Sequence, residues 1–354
     1  MKIREVRAQN LRNFGPDAPA VSFVDPDTHL VRPLTILVGA NGSGKTTLLE
    51  LIELLCLTVW PENMERNGLR MYSDPETRDT HHSLFRTSSS ADLKVELSAS
   101  NALGAPPEVV SIQANIGPGP SSADIVIDFK QRNFSDATSS QHHNRLIKHK
   151  FLSGDGGLLY FPSHRWFSGF RGVAVTRPTD DDPWIYRYFP SDQWEGSLSQ
   201  LWVWQNYLDL EAQQEGHPNL LPFVETIQTI LGKDQRLIIH RGEVWIERPH
   251  KGDRIRAYEL PSGERQVLVI FGEIVRRLKP GSIIMIDEIE ISLHPALQRV
   301  VLYHLRRLAK LHDLQIILTT HSLEIVTAAD PSEIVNLDDM VFTEYAARTA
   351  EAAE

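Results

Sequence analysis

The stretch Gly39-Ala40-Asn41-Gly42-Ser43-Gly44-Lys45-Thr46-Thr47 constrains this chain more than any other. It fits G-x-x-x-x-G-K-[ST], follows the apolar run Leu34-Thr35-Ile36-Leu37-Val38, and precedes a helical pattern from Leu48 to Leu57. Strand, glycine-rich loop and helix form the setting that turns such a string into a phosphate site. Glycines let the backbone wrap an anion with its N–H groups inward, and the helix start adds partial positive charge. Lys45 is then positioned to neutralise β- and γ-phosphates, and Thr46 to ligate Mg²⁺ through its hydroxyl. A nucleotide is therefore the expected ligand.

Composition narrows the setting. The 354 residues are 41% hydrophobic and 23% charged, as in ordinary globular proteins. No run approaches the roughly 18 apolar residues of a membrane span, and Met1-Lys2-Ile3-Arg4-Glu5 lacks a signal-peptide core. Cys56 is the only cysteine, which excludes a disulfide framework and a cysteine metal site. A cytoplasmic protein without a membrane partner is expected. The net charge of −10 argues against a surface that is basic throughout, though a local basic stripe is enough for nucleic acid.

Read in order, residues 2–14 suggest an edge strand and a turn, Val21–Val24 a short strand, and Leu34–Val38 a strand buried on both faces. Residues 61–90 read as a loop, and Leu93–Leu97, Val109–Ala114 and Ile125–Phe129 as a small antiparallel sheet. Leu158–Pro162 is another buried strand. From 166 to 207 tryptophans gather at Trp166, Trp184, Trp194, Trp202 and Trp204, around the acidic run Asp180–Asp182. An inserted aromatic arm or lid is expected there, ending in a helix from about Leu198 to Gln214. A helix at Pro222–Leu231 and a hairpin turning at Arg241-Gly242 follow. Helix Ser262–Leu278, strand Ser282–Ile286, helix Ala296–Leu311, strand Gln315–Thr319 and helix Leu323–Ala329 come next. The tail after Met340 is expected to fray.

Three further motifs add chemistry. Ile283-Ile284-Met285-Ile286 ends in Asp287-Glu288; beside a P-loop, such an aspartate sits at the metal and the glutamate can act as general base on a water. Ser262-Gly263-Glu264 opens a helix, where backbone N–H groups and a hydroxyl can hold a second anion. His321 ends an apolar strand, and in open sheets side chains at that edge face the ligand crevice.

Together the stretches 39–47, 260–266, 283–295 and 317–322 resemble the ABC-type ATPase superfamily, in its SMC/RecF/OLD-like branch. Leu11-Arg12-Asn13-Phe14 is similar to that branch's opening strand and turn. The resemblance implies an α/β P-loop fold, with an ABC-ATPase-type mixed sheet flanked by helices, a small antiparallel β-subdomain and an inserted helical, aromatic arm. It implies ATP and Mg²⁺ held by Gly39 to Thr47, with Thr46 and Asp287 at the metal. Glu288 becomes the catalytic base and His321 a γ-phosphate contact. Ser262, Gly263 and Glu264 match the signature motif that reaches the nucleotide of a second subunit, so a head-to-head homodimer or higher oligomer is implied. Pro261 and Ile289 depart from the usual pattern. For the glutamine that senses Mg²⁺, Gln113 and Gln131 stay open, and Arg165 resembles a site of the OLD-like branch.

Lys45 and Ser262 are 217 residues apart, too far for a transporter domain and too near for the long coiled coil of SMC proteins. The 33 residues after His321 are too few for a Toprim nuclease domain. The expected division is a head at 1–60 and 230–340, an insert at 61–229 and a tail at 341–354. The expected function is an ATP-driven switch that acts on a separate effector of DNA repair or bacterial defence. The rivals are a transporter energy subunit and an ATP-locked scaffold without turnover. Direct nucleic-acid binding would rest on residues 142–150 and on Arg165, Arg171 and Arg177 among aromatics.

Overall fold

The fold was obtained as a computed structural model, which describes residues 1–58, 89–97, 108–118, 125–129, 156–167, 175–178, 183–190, 193–212 and 218–338. Its strands in chain order are β1 (Lys2–Gln9), β2 (Val21–Ser22), β3 (Leu34–Val38), β4 (Ser89–Leu97), β5 (Glu108–Pro118), β6 (Ile125–Phe129), β7 (Leu158–Phe161) and β8 (Ile185–Arg187). They continue with β9 (Arg236–His240), β10 (Glu243–Arg248), β11 (Asp253–Arg256), β12 (Ile283–Ile286), β13 (Gln315–Thr319) and β14 (Ile334–Asn336). The helices are α1 (Lys45–Thr58), α2 (Leu198–Glu211), α3 (Leu221–Leu231), α4 (Ser262–Arg277), α5 (Pro295–Leu311) and α6 (Leu323–Ala328).

Six strands form a parallel sheet in the order β14-β3-β13-β12-β7-β8. Its central strands are apolar at nearly every position because both faces are covered. The two-residue period of a strand divides them between two cores. Ile284, Ile286, Ile316 and Leu318 join a core with α2, α3, α4 and α5. Ile283, Met285 and Ile317 join the other, with α1 and β1. Since every strand runs the same way, the C-terminal ends of β3, β7, β12, β13 and β14 emerge at one edge.

Antiparallel pairing is segregated into two other sheets, ordered β2-β1-β4-β5-β6 and β11-β10-β9. The strand expected at an edge, β1, is interior, paired with both β2 and β4. Gln315 of β13 ties it to the central sheet: its side chain accepts from Ile3 N at 2.7 Å and donates to Ile3 O at 2.8 Å. The β9–β10 hairpin turns at Arg241-Gly242, both with positive φ (53° and 75°), as a two-residue turn of this twist requires. Strands β8, β11 and β14 were not foreseen; they have only 3, 4 and 3 residues.

Of the expected aromatic arm, the described stretches around Trp184, Trp194 and Trp202 are part of the core, while Trp166 is exposed. Ile185–Arg187 pairs in parallel with β7, and Trp184 and Trp194 are buried. Trp202 is fully buried, its ring 5.8 Å from Phe167 and 6.0 Å from Phe223. Gly272 of α4 lets α2 approach so closely that a Cβ there would sit 2.9 Å from the Trp202 ring. Below them, Arg187 pairs with the buried Glu53 of α1 at 2.5 Å and lies over the Tyr160 ring. Burial would lower the Arg187 guanidinium, but Glu53, Tyr160 and Glu50 raise it above its ordinary value. The division expected at 61 and 229 is therefore not followed by the sheets: β7 and β8 belong to the central sheet, and β4 pairs with β1. The expectations for 61–88, for 131–150 and for the tail lie outside the described residues. Among those described, no helix is long and apolar enough to cross a membrane.

Candidate nucleotide site

At the end of β3 the chain turns through the glycine loop into α1. Gly42 and Gly44 have φ of 83° and 96°, which only glycine adopts without strain. A Cβ on Gly44 would lie 2.7 Å from the Phe14 ring. Leu11 and Phe14 close a tight turn by exchanging backbone hydrogen bonds, and that turn braces the loop. Asn13 donates to Gly42 O, and Arg12 donates to Thr47 Oγ1 at 3.2 Å. On the loop's other side, the carboxylate of Asp338, just beyond β14, accepts from Ala40 N at 2.7 Å.

Lys45 Nζ donates to Gly39 O at 2.8 Å and Ala40 O at 3.0 Å. Burial pulls its ammonium below the ordinary value, opposed by Asp338, Asp287, Glu288 and Glu290, the carboxylates whose field it shares. The Thr46 hydroxyl donates to Asp287 at 2.9 and 3.1 Å. The sequence-expected metal pair is thus brought together from elements 241 residues apart. A hydroxyl and a carboxylate are the hard oxygen donors Mg²⁺ takes, and the glycine cradle has the form a polyphosphate needs.

The Asp287-Glu288 turn is held differently. Glu288 has φ 46°, a left-handed conformation that costs a non-glycine residue roughly 1–2 kcal/mol. Buried Thr319, at the end of β13, donates to Asp287 Oδ1 at 2.6 Å and accepts from Glu288 N at 2.7 Å. Arg165, in the loop after β7, donates through Nη1 to Asp287 O at 2.6 Å and Pro162 O at 2.7 Å, and through Nη2 to Glu288 O at 2.9 Å. Burial pulls the Arg165 guanidinium down to about 10, against Asp287, Glu290 and Glu288. Arg165 is only 4% exposed, so the expectation that it reaches nucleic acid is corrected. Buried Trp184, Trp194 and Trp202 likewise cannot stack on bases.

Glu290 links this turn to the histidine loop. Its carboxylate accepts from Thr320 Oγ1 at 2.8 Å and from His321 N at 2.6 Å, leaving the His321 side chain exposed. Ile289 stands where proline is usual, and its N–H donates to Thr319 O, a bond proline could not make. At the start of α4, Ser262 is exposed and no side chain caps the helix. Gly263 sits against the loop after Asp287-Glu288: a Cβ there would lie 2.6 Å from Ser292 O. Glu264 is partly buried and accepts from Gln235, the residue before β9, at 3.5 Å. Of the two candidate glutamines, Gln113 lies on β5 and Gln131 outside the described residues.

Sequence reasoning did not find Thr319, Glu290, Asp338 or Gln266, which donates to Arg165 O at 2.7 Å. Thr319, Glu290 and Gln266 lie inside stretches already singled out, so position beside a known motif was the available signal. Asp338 gave none.

Residues 5–150 match a family described as an AAA domain. Residues 170–327 match another, described as "AAA domain, putative AbiEii toxin, Type IV TA system". A segment of 91 residues is 33% identical to the DNA repair protein RAD50 of Arabidopsis thaliana, which covers 24% of this chain and only 6% of that protein. Among solved structures, an SMC head bound to the C-terminal winged-helix domain of ScpA superposes with a TM-score of 0.53 at 14% identity, covering 95% of this chain and 94% of that one. An SMC head with an extended coiled coil, bound to the C-terminal domain of ScpA from Pyrococcus furiosus, gives 0.51 at 12% identity over 100% of both chains. At such identities these two speak for the fold alone. By the family matches and the RAD50 segment, the chain is similar to the SMC/RecF-like group of ABC-type ATPases.

Proposed function

We propose that this protein binds Mg²⁺-ATP at the Gly39–Thr47 loop and hydrolyses it. The observation that carries the reading is the 2.9 Å contact between Thr46 and Asp287, made at a sheet edge where Lys45 and Glu288 share one field. Backbone N–H groups of the loop and Lys45 hold the phosphates, while Thr46 and Asp287 hold the metal, which supplies charge neutralisation at the transferring phosphoryl group. Glu288 orients the attacking water and takes its proton, and His321 donates toward the γ-phosphate. Catalysis then rests on positioning and electrostatics, not on a covalent intermediate.

We further propose that two copies close head to head, each offering Ser262, Gly263 and Glu264 to the other's nucleotide. Exposed Ser262, and Gly263 seated against Ser292 O, support this: the α4 start and the loop after Glu288 form one surface. Hydrolysis lets the copies part, and a separate effector protein reads the change. The relatives support a protein partner, since both SMC heads were solved with a ScpA domain and one matched family carries a toxin description. A role in repair or defence follows from the same relatives. The cytoplasm, where ATP and a reduced lone thiol coexist, is the implied location. Light scattering of a Glu288→Gln variant tests the closure: Mg²⁺-ATP should double its mass, and Ser262→Arg added to it should abolish the doubling. An ATP-loaded Glu288→Gln protein that stays at its nucleotide-free mass would end the dimer reading.

A further inference from the structure

Arg165 is buried, yet its guanidinium makes no ion pair at contact distance with a carboxylate among the described residues. It donates instead to three backbone carbonyls, those of Pro162, Asp287 and Glu288. Burying a cation on neutral acceptors is costly, and an apolar residue would serve stability as well or better. What the arrangement does deliver is a fixed backbone at Asp287 and Glu288. The carbonyls on both sides of the left-handed Glu288 unit are anchored, and Thr319 anchors its N–H. Arg165 O, in turn, accepts from Gln266 Nε2 at 2.7 Å, and Gln266 lies one helical turn into α4 from Ser262. A single residue therefore touches both the turn bearing Glu288 and the helix that begins at Ser262.

We propose that Arg165 is a positioning residue that locks the left-handed turn carrying Glu288 and couples it, through Gln266, to the start of α4. The proposal rests on the ATPase reading for its consequence but not for its geometry. When a second copy engages Ser262, a shift of α4 is passed by Gln266 to the Arg165 backbone, and by the guanidinium to the carbonyls beside Glu288. The carboxylate is thereby aimed when the opposing copy is in place. Nucleotide affinity is left to the glycine loop, which Arg165 does not touch.

Hydrogen exchange of the nucleotide-free protein tests the lock directly. The amides of Asp287, Glu288, Ile289, Ile291 and Leu293 are all hydrogen-bonded and so report on the turn. Arg165→Met should speed their exchange at least about tenfold, the loss expected for a buried charge-assisted hydrogen bond, with α1 amides unchanged. Its Mg²⁺-ATP affinity should stay near wild type, while kcat falls at least about tenfold at constant KM. Arg165→Lys, which can still reach two carbonyls, should recover part of both effects. Gln266→Met should lower kcat less, in the same direction. If Arg165→Met does not fold, Arg165→Lys and Gln266→Met carry the same readouts. Unchanged exchange at 287–293, or faster exchange spread equally over α1 and the sheet, overturns the proposal. A wild-type protein without turnover would defeat the ATPase reading, while the exchange experiment would still decide whether Arg165 locks the turn.

Discussion

Two turns at the same sheet edge reach left-handed backbone by opposite routes. The loop after β3 uses Gly42 and Gly44, for which positive φ carries no steric cost. The turn after β12 uses Glu288 and, four residues on, Ser292, with φ 46° and 63°. A glycine there would be free of strain but would carry no carboxylate. The first loop needs backbone N–H groups facing an anion, so side chains are dispensable. The second must present a side chain, so its conformation is imposed from outside by Arg165 and Thr319. Strain held at a functional site by surrounding structure is the expected pattern where a reacting group must be aimed.

Substitutions that exchange the two solutions probe this contrast. Gly44→Ala should have the largest effect, since its Cβ meets the Phe14 ring and its φ of 96° disfavours any side chain. Equilibrium binding should show ATP affinity lowered by about 100-fold or more, from roughly 3 kcal/mol of clash and strain. Thr319→Val keeps the shape of the buried residue but removes its bonds to Asp287 Oδ1 and Glu288 N. It should destabilise the fold by about 1–3 kcal/mol in denaturant titration and lower kcat more than it weakens ATP binding. Ser292→Gly should be nearly silent in stability, within about 1 kcal/mol, because glycine accepts φ 63° without strain at an exposed position. A large loss of stability there would mean that the Ser292 side chain, and not its backbone, supports the turn.

The same contrast explains what could be read from sequence. A glycine loop announces itself, because glycine is needed where it stands and the spacing to Lys45 and Thr46 is local. The strand before Asp287-Glu288 was legible for a related reason: a parallel strand buried on both faces is apolar throughout, as Ile283–Ile286 is. The lock on Glu288 was not legible. Arg165 resembled a site of the OLD-like branch, but nothing in its local sequence ties it to the Asp287 carbonyl it holds, 122 residues away. Tryptophan density misled for a third reason. Trp184, Trp194 and Trp202 looked like a lid because an acidic run and arginines surround them, whereas Trp194 and Trp202 join the core with α2, α3 and α4, and Trp184 joins the one with α1 and β1. Strands as short as β8 and β14 also carry too few residues for a period to register. Their places come from parallel partners far along the chain, not from their own sequence.

Steady-state phosphate release, measured together with equilibrium Mg²⁺-ATP binding for the wild type and Glu288→Gln, is the most direct test. The account predicts that the wild type turns over ATP. The variant should bind it equally well, with kcat lower by about 10²–10⁴-fold, the usual range for a general base. Equal turnover in the two proteins would contradict the role given to Glu288, and with it the reason for the clamped turn.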